Sequence, residues 1–230
     1  MSASNAAIIL AAGAGARLGH GEPKAFLSLG DRSMLELAMR AAAACAAIDL
    51  LVVAVPPGFE DAVAAIQPLP TNVAPVVGGD SRQASVVAAL EAVGDAQAVV
   101  CHDAARPFAS SALFTSVLAA LDREEADGVV PVVPIADTVK RVRDGVVEGT
   151  ESREELMLAQ TPQAFRTEVL RAAHERAAGE DAAFTDDASV LEWAGYRVVA
   201  VPGEPDNLKI TTPTDLARAE AILHTGGPLW

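Results

Sequence analysis

The sequence predicts an α/β fold, a mostly parallel, twisted sheet flanked by helices. Three observations predict it. Short apolar runs alternate with helical stretches in the order β-α-β-α-β. The runs are continuously apolar, as strands covered by helices on both faces are. The 230 residues suffice for one such domain with a substantial core, so 1–230 is expected to be a single domain.

The first strand is Ile8-Ile9-Leu10, apolar, short and closed by small residues and glycine. The loop after it carries Gly13, Gly15, Gly19 and Gly21, with Arg17 and Lys24 as cations. Side chains as small as those of Ala11, Ala12 and Gly13 let a ligand approach the backbone, whose N–H groups can hold phosphate oxygens. A dinucleotide fingerprint fails because position 18 is Leu, and the Walker spacing fails because Lys24 follows Pro23 and precedes Ala25. A Gly-rich surface turn is the alternative. The two cations, directly after a first strand, favour a phosphate site.

A turn is expected over 27–31, and Ser33 with Glu36 forms a capping box for a helix running to about residue 47. A strand follows over 50–55, stopped by Pro56-Pro57-Gly58, then a helix over about 59–66 and a third strand over 73–77. Ligands of such sheets sit at the carboxyl ends of strands. After the third strand, Gly78-Gly79-Asp80-Ser81-Arg82-Gln83-Ala84-Ser85 opens a helix, either as a turn with an N-cap or as an edge that recognises a nucleobase. After the fourth, over 98–101, comes His102-Asp103-Ala104-Ala105-Arg106-Pro107. Asp103 is placed to hold Mg²⁺ or orient a substrate, and Arg106 can fork onto a phosphate. A structural Asp–Arg pair is the alternative, and His102 reads as structural.

Ser111 is expected to cap the next helix, ending near 123–125, and a fifth strand runs over 128–133. The pattern then changes. Residues 135–143 and 146–151 flank Asp144-Gly145 and read as a hairpin. Asp137, Thr138, Lys140, Arg141 and Arg143 lie on one side and Glu148, Glu151 and Arg153 on the other. A polar two-stranded ribbon is marginal alone, so it needs support, a second subunit being the simplest. A solvated hairpin on a monomer is the alternative. Residues 156–163 return the chain to the sheet. Thr167 is expected to cap a helix to about 178, and a further helix begins at Thr185-Asp186-Asp187-Ala188-Ser189 and ends at Gly195. Asp186 and Asp187 read as charges complementing its dipole. A last strand over 196–201, Lys209 beside Asp206, and a helix started by Pro213 complete the chain, with a loose tail over 224–230.

A formal net charge of −14 argues against general nucleic-acid or anionic-membrane binding. No apolar run reaches the length of a membrane span, and Met1-Ser2-Ala3-Ser4-Asn5 carries no charged leader. Cys45 and Cys101 stand in no metal or redox spacing and read as buried thiols of a reducing compartment, so a cytoplasmic protein is expected. The four histidines are scattered, and no zinc site is expected. Fourteen arginines face only three lysines, Lys24, Lys140 and Lys209. A position that keeps lysine in such a chain points to a need for a compact, flexible point charge.

Assembled, these residues closely resemble the 2-C-methyl-D-erythritol 4-phosphate cytidylyltransferases of the non-mevalonate isoprenoid pathway. The matching stretches are 11–24, 78–85, 102–107, 137–138, 150–153, 160–163, 185–189 and 206–211, in the family's order and spacing. Leu10 stands where many relatives have Pro, and Ala16 where a polar residue is common. The resemblance implies a Rossmann-like nucleotidyltransferase fold with a protruding hairpin arm over 135–153. It implies transfer of CMP from CTP to methylerythritol phosphate with release of pyrophosphate, and it implies that the second activity fused onto some relatives is absent.

By the same resemblance Arg17, Lys24, Arg153 and Lys209 form the catalytic set. Ala11, Ala12, Gly13, Gly79, Asp80 and Ser85 hold the cytidine. Asp103, Arg106, Thr138, Arg153 and Thr161 bind the second substrate. Mg²⁺ bridges the triphosphate near Asp103, and the arm crosses to the other subunit of a homodimer. Three other readings compete. A ribitol 5-phosphate cytidylyltransferase would share the CTP half and differ at Arg106, Thr138, Arg153 and Thr161. A non-catalytic nucleotide-binding regulator would not need Lys24 and Lys209 to converge on one phosphate. Leu18 counts against an NAD-linked dehydrogenase.

Overall fold

Four apolar runs become adjacent parallel strands. β1 (Asn5–Leu10) lies between β4 (Leu50–Val55) and β6 (Ala98–Asp103), and β5 (Asn72–Val77) flanks β4. The structure is a computed structural model and describes residues 4–13, 23–180 and 184–224. Beyond β6 the sheet continues through β11 (Gln163–Arg166), β7 (Gly128–Pro134) and β12 (Val198–Pro202). β11 is antiparallel to both β6 and β7, and β10 (Met157–Ala159) is antiparallel to the far end of β7. β12 is parallel to β7, so a single antiparallel path interrupts an otherwise parallel sheet.

Residues alternate between two cores across the sheet. Ala7 and Ile9 of β1 face α1 (Met34–Ala43) and α4 (Ser111–Arg123), while Ala6 and Ile8 face α3 (Arg82–Ala92), α5 (Thr167–Ala177) and α6 (Asp187–Ala194). Burial on both faces is why these strands read as unbroken apolar runs. Two elements complete this part of the fold: the short helix α2 (Glu60–Ala64) and a small antiparallel pair, β2 (Ser28–Leu29) with β3 (Arg32–Ser33). α7 (Pro213–His224) closes a third cluster, in which Ile210 and Ala219 meet Leu29, Met34 and Phe108.

Several boundaries differ from the sequence reading, each for a local reason. α1 stops at Ala43, because the Ala47 carbonyl accepts from Asn5 Nδ2 at 3.0 Å and the chain is already turning into β4. β6 extends through His102 and Asp103, polar residues that pairing with β1 keeps extended up to the pair Leu10 and Asp103. Ser110, not Ser111, caps α4, its Oγ accepting from Leu113 N–H at 3.0 Å. Thr167 is the first helical residue of α5, and its N-cap Arg166 makes no side-chain cap. Asp186 caps α6 in a reciprocal box with Ser189, and the helix ends on Gly195 at φ 84°.

The expected hairpin forms from β8 (Lys140–Arg143) and β9 (Val146–Thr150), a two-stranded sheet of its own. Asp144 and Gly145 both have positive φ, 49° and 80°, as a tight two-residue hairpin turn requires. Eight of its nine strand residues are exposed, including Val142, Val146 and Val147.

Candidate functional site

The sheet order reverses at β1, whose chain neighbour β4 lies on one side while β6 lies on the other. In open α/β sheets the crevice at that reversal is where ligands bind. A cleft of about 660 Å³ opens there, over the carboxyl ends of β1, β5 and β6. That volume falls within the usual range for small-molecule sites.

Small residues set the floor of the cleft. Ala11 N–H donates to the Ala54 carbonyl at 2.8 Å, and Gly78 N–H donates to the Val55 carbonyl at 2.8 Å, so both loops leave the sheet beside β4. A Cβ on Gly78 would lie 2.4 Å from Ala12 Cβ, and one on Gly79 would lie 2.4 Å from Ala84 Cβ. Gly78 therefore lets the loops after β1 and β5 pack on one another, and Gly79 lets its own loop close on the first turn of α3. At Gly13 a Cβ would meet no described atom within 4 Å, so packing does not account for that glycine. The Ser85 hydroxyl accepts from Gly79 N–H at 3.1 Å and donates to the Ser81 carbonyl at 2.9 Å, stapling the loop to the first turn of α3.

Four charges run from the interior into the cleft. Asp187 is fully buried, and its Oδ2 lies 2.8 Å from Arg82 Nη2. Arg82 Nε lies 3.2 Å from Asp103 Oδ1, and Asp103 Oδ2 lies 2.6 Å from Lys209 Nζ. Burial alone would raise the Asp103 carboxyl, but Arg82 and Lys209 outweigh it and hold the group well below the usual carboxylate range. Asp187 is lowered likewise, Arg82 and His174 overcoming its burial. Burial opposes the Arg82 charge, yet the two carboxylates raise its affinity for the proton above the ordinary guanidinium value. Burial pushes the Cys101 thiol well above its usual range, and the Asp187 charge adds to the effect.

Beneath Asp103 lies a neutral network. Asp103 N–H donates to Thr161 Oγ1 at 3.0 Å, and Thr161 Oγ1 lies 3.1 Å from His102 Nδ1. His102 Nε2 lies 3.1 Å from the Arg106 carbonyl, which can only accept, so Nε2 carries the proton and Nδ1 accepts from Thr161. Burial lowers the His102 pKa to about 4, in keeping with this neutral tautomer. Arg106 donates to the carbonyls of Asn207 at 2.8 Å and Ala159 at 3.2 Å. Asn207 in turn donates to the Thr161 carbonyl at 2.8 Å. Together these bonds hold the stretch that carries Lys209 against the end of β6.

The structure thus brings Ala11, Ala12, Gly13, Lys24, Gly79, Asp80, Ser85, Asp103 and Lys209 around one cleft. Arg106 and Thr161 lie outside its lining, bonded into the support beneath. Thr138 and Arg153 lie exposed on the hairpin side, where an Arg153 guanidinium N–H donates to the Ala136 carbonyl. Arg17 lies outside the described residues, as do the rest of its loop over 14–22 and the tail over 225–230.

Two charged residues of the site were assigned no such role by the sequence reading. Arg82 was read only as part of the stretch that opens a helix or recognises a nucleobase, and Asp187 as a charge complementing the helix dipole. The Asp187 carboxylate points inward instead. It stands three and four residues before the buried Val190 and Leu191, and that phase places it on the core face of α6.

Residues 5–225 match the family model of 2-C-methyl-D-erythritol 4-phosphate cytidylyltransferase. A protein of that name from Rhodococcus opacus is 43% identical over 96% of this chain and 95% of its own length. One from Frankia casuarinae is 48% identical over 97% of this chain and 82% of its own length. The crystal structure of 4-diphosphocytidyl-2C-methyl-D-erythritol synthase from Anaerococcus prevotii superposes with a TM-score of 0.84 at 31% identity, covering 96% of this chain and 99% of that one.

Proposed function

Because the chain belongs to the 2-C-methyl-D-erythritol 4-phosphate cytidylyltransferase family, we propose that the cleft at the end of β1 and β6 is where CMP passes from CTP to methylerythritol phosphate. The enzyme is a nucleotidyltransferase of isoprenoid precursor synthesis, making 4-diphosphocytidyl-2-C-methylerythritol. The observation that carries the site assignment is the convergence of Lys24, Asp103 and Lys209 on this one cleft at the sheet's reversal point.

The reaction forms a bond from a substrate phosphate oxygen to the α-phosphorus of CTP and breaks the bond from that phosphorus to the β-phosphate oxygen. Pyrophosphate leaves with the bonding pair. The nucleophile is already an anion, so no strong base is needed. The barrier comes from bringing two anions together and from charge growing on the phosphoryl oxygens. Positioning and fixed cations supply most of what such a reaction needs. In this reading Lys24 and Arg17 stabilise the triphosphate and the departing pyrophosphate. The backbone at 11–13 and the edge formed by Gly79, Asp80 and Ser85 take the cytidine. Lys209, held on Asp103, aligns the incoming phosphate.

No group of three or more His, Cys, Asp or Glu side chains among the described residues can cage a metal ion. A divalent cation that arrives with the triphosphate fits the donors present, since Mg²⁺ keeps phosphate and water oxygens and asks the protein for one or two carboxylates. Asp103, whose oxygens each keep a second lone pair beyond Arg82 and Lys209, would hold it, and the ion would supply charge neutralisation on the phosphates.

Thr138 and Arg153 stand apart from their own chain's cleft on an exposed hairpin. That supports reading 135–153 as a dimerisation arm that carries both residues, with Arg106 and Thr161, to the second substrate. No helix among the described residues is long and apolar enough to cross a membrane. The same reading takes residues 1–230 as one domain of a cytoplasmic enzyme.

Steady-state pyrophosphate release by the wild type, Lys24→Ala and Lys209→Ala tests the site. Both variants should remain folded and lose about 10²–10³ in kcat, the usual cost of one transition-state contact. Wild-type turnover by both would place the chemistry elsewhere.

A further inference from the structure

Asp187 does not line the cleft, yet it ends the chain of charges that does. Arg82 is the first residue of α3, Asp103 the last of β6 and Asp187 the first of α6, while Lys209 lies in the stretch before α7. The guanidinium uses two separate edges, Nε toward Asp103 and Nη2 toward Asp187. A lysine, with one nitrogen, has no two separated edges to offer. A guanidinium with only one carboxylate in reach closes on it with two parallel N–H bonds. Here that would take both oxygens of Asp103, including Oδ2, on which Lys209 now rests at 2.6 Å.

We propose that Asp187 is a positioning residue for the transfer: by holding Arg82 Nη2 it keeps that arm off Asp103, which leaves Asp103 Oδ2 to fix Lys209 in the cleft. The Asp187 Oδ1 makes no hydrogen bond among the described residues and lies 3.5 Å from His174 Nε2. The closest charged contact of Asp187 is therefore Arg82, at 2.8 Å. The inference rests on the cytidylyl-transfer reading of the cleft.

The test is a double-mutant cycle of Asp187→Asn with Arg82→Lys. It uses pyrophosphate release with CTP, Mg²⁺ and methylerythritol 4-phosphate, equilibrium CTP binding, and thermal midpoints. Asp187→Asn is expected to lower kcat by about 10–100-fold, as a misplaced catalytic group does, and to leave the Kd for CTP within about threefold. The loss should vanish in the Arg82→Lys background, because a lysine cannot fork onto Asp103. The double variant then turns over no more slowly than Arg82→Lys alone.

Multiplicative losses would overturn the inference, as would an unchanged kcat or a parallel loss of CTP binding. If Asp187→Asn does not fold, Asp187→Glu serves in its place. It keeps the charge but shifts the carboxylate by one methylene, and the same loss in kcat and the same dependence on Arg82 are expected. Failure of both to fold would make Asp187 a structural anchor and overturn the positioning role. Absence of wild-type turnover would instead overturn the functional reading beneath it.

Discussion

His102 stands at the end of the strand that carries Asp103, with both ring nitrogens committed: one accepts from Thr161 and the other donates to the Arg106 carbonyl. A proton on Nδ1 would turn that nitrogen into a donor facing the Thr161 hydroxyl and break the relay to Asp103 N–H. The folded pKa, about 4, lies below the ordinary 6.5, so between these values the unfolded chain binds more protons than the folded one. Stability from His102 is therefore complete above pH 6.5 and is lost as pH falls toward 4, by about 3 kcal/mol if the shift is taken whole. Asp103 and Asp187 are held below the carboxylate range, so their contributions fail only at more acid pH. The thermal midpoint should drop between pH 6.5 and 4, and His102→Gln should flatten that window. A His102→Gln variant with the wild-type slope would show that the imidazole does not titrate with folding. His102 was legible as structural because it preceded the more chemical Asp103. The hydrogen bonds that Thr161 and Arg106 make beneath the cleft were not legible, since a sequence does not say which partners a polar residue near a strand end will meet.

At the scale of elements, the site depends on three loops packing over strand ends. Gly78 makes the close contact between two of these loops, for a Cβ there would lie 2.4 Å from Ala12 Cβ and 2.9 Å from Ser85 Oγ. Gly78→Ala should push the loops after β1 and β5 apart. The expected cost is about 1–3 kcal/mol in stability, with a weaker Kd for CTP read by titration. Normal CTP affinity in this variant would mean that the two loops do not form one nucleotide site. The parallel strands were legible because strands buried on both faces must be apolar throughout, as 50–55 is. β11 was not, because Gln163-Ala164-Phe165-Arg166 is short and mixed, and its antiparallel run is set by neighbours on both sides. Asp187 hid for another reason. An acid at the start of a helix ordinarily serves the dipole, and only its phase with Val190 and Leu191 points it inward.

Across the whole molecule, the hairpin of β8 and β9 is the part that a single chain leaves unexplained. Val142, Val146 and Val147 are exposed on it, and Leu156, Met157 and Leu158 are exposed nearby in sequence. A two-stranded ribbon of this kind, polar but exposing three valines, is marginal without a partner. If two subunits share each site through their arms, Arg153→Ala should impair use of the second substrate while sparing CTP binding. Mixing inactive Arg153→Ala with inactive Lys24→Ala subunits should then restore part of the activity. No rescue under conditions of subunit exchange would contradict a shared site. The hairpin itself was legible from Asp144-Gly145, but its partner was not, since a turn motif fixes two strands and says nothing of what they dock on. The measurement that tests the central claim most directly is pyrophosphate release from CTP and Mg²⁺, with methylerythritol 4-phosphate and ribitol 5-phosphate compared side by side. Release with the methylerythritol phosphate and not with the ribitol phosphate is the result expected; release with ribitol phosphate alone, or with neither from a protein that binds CTP, would contradict it.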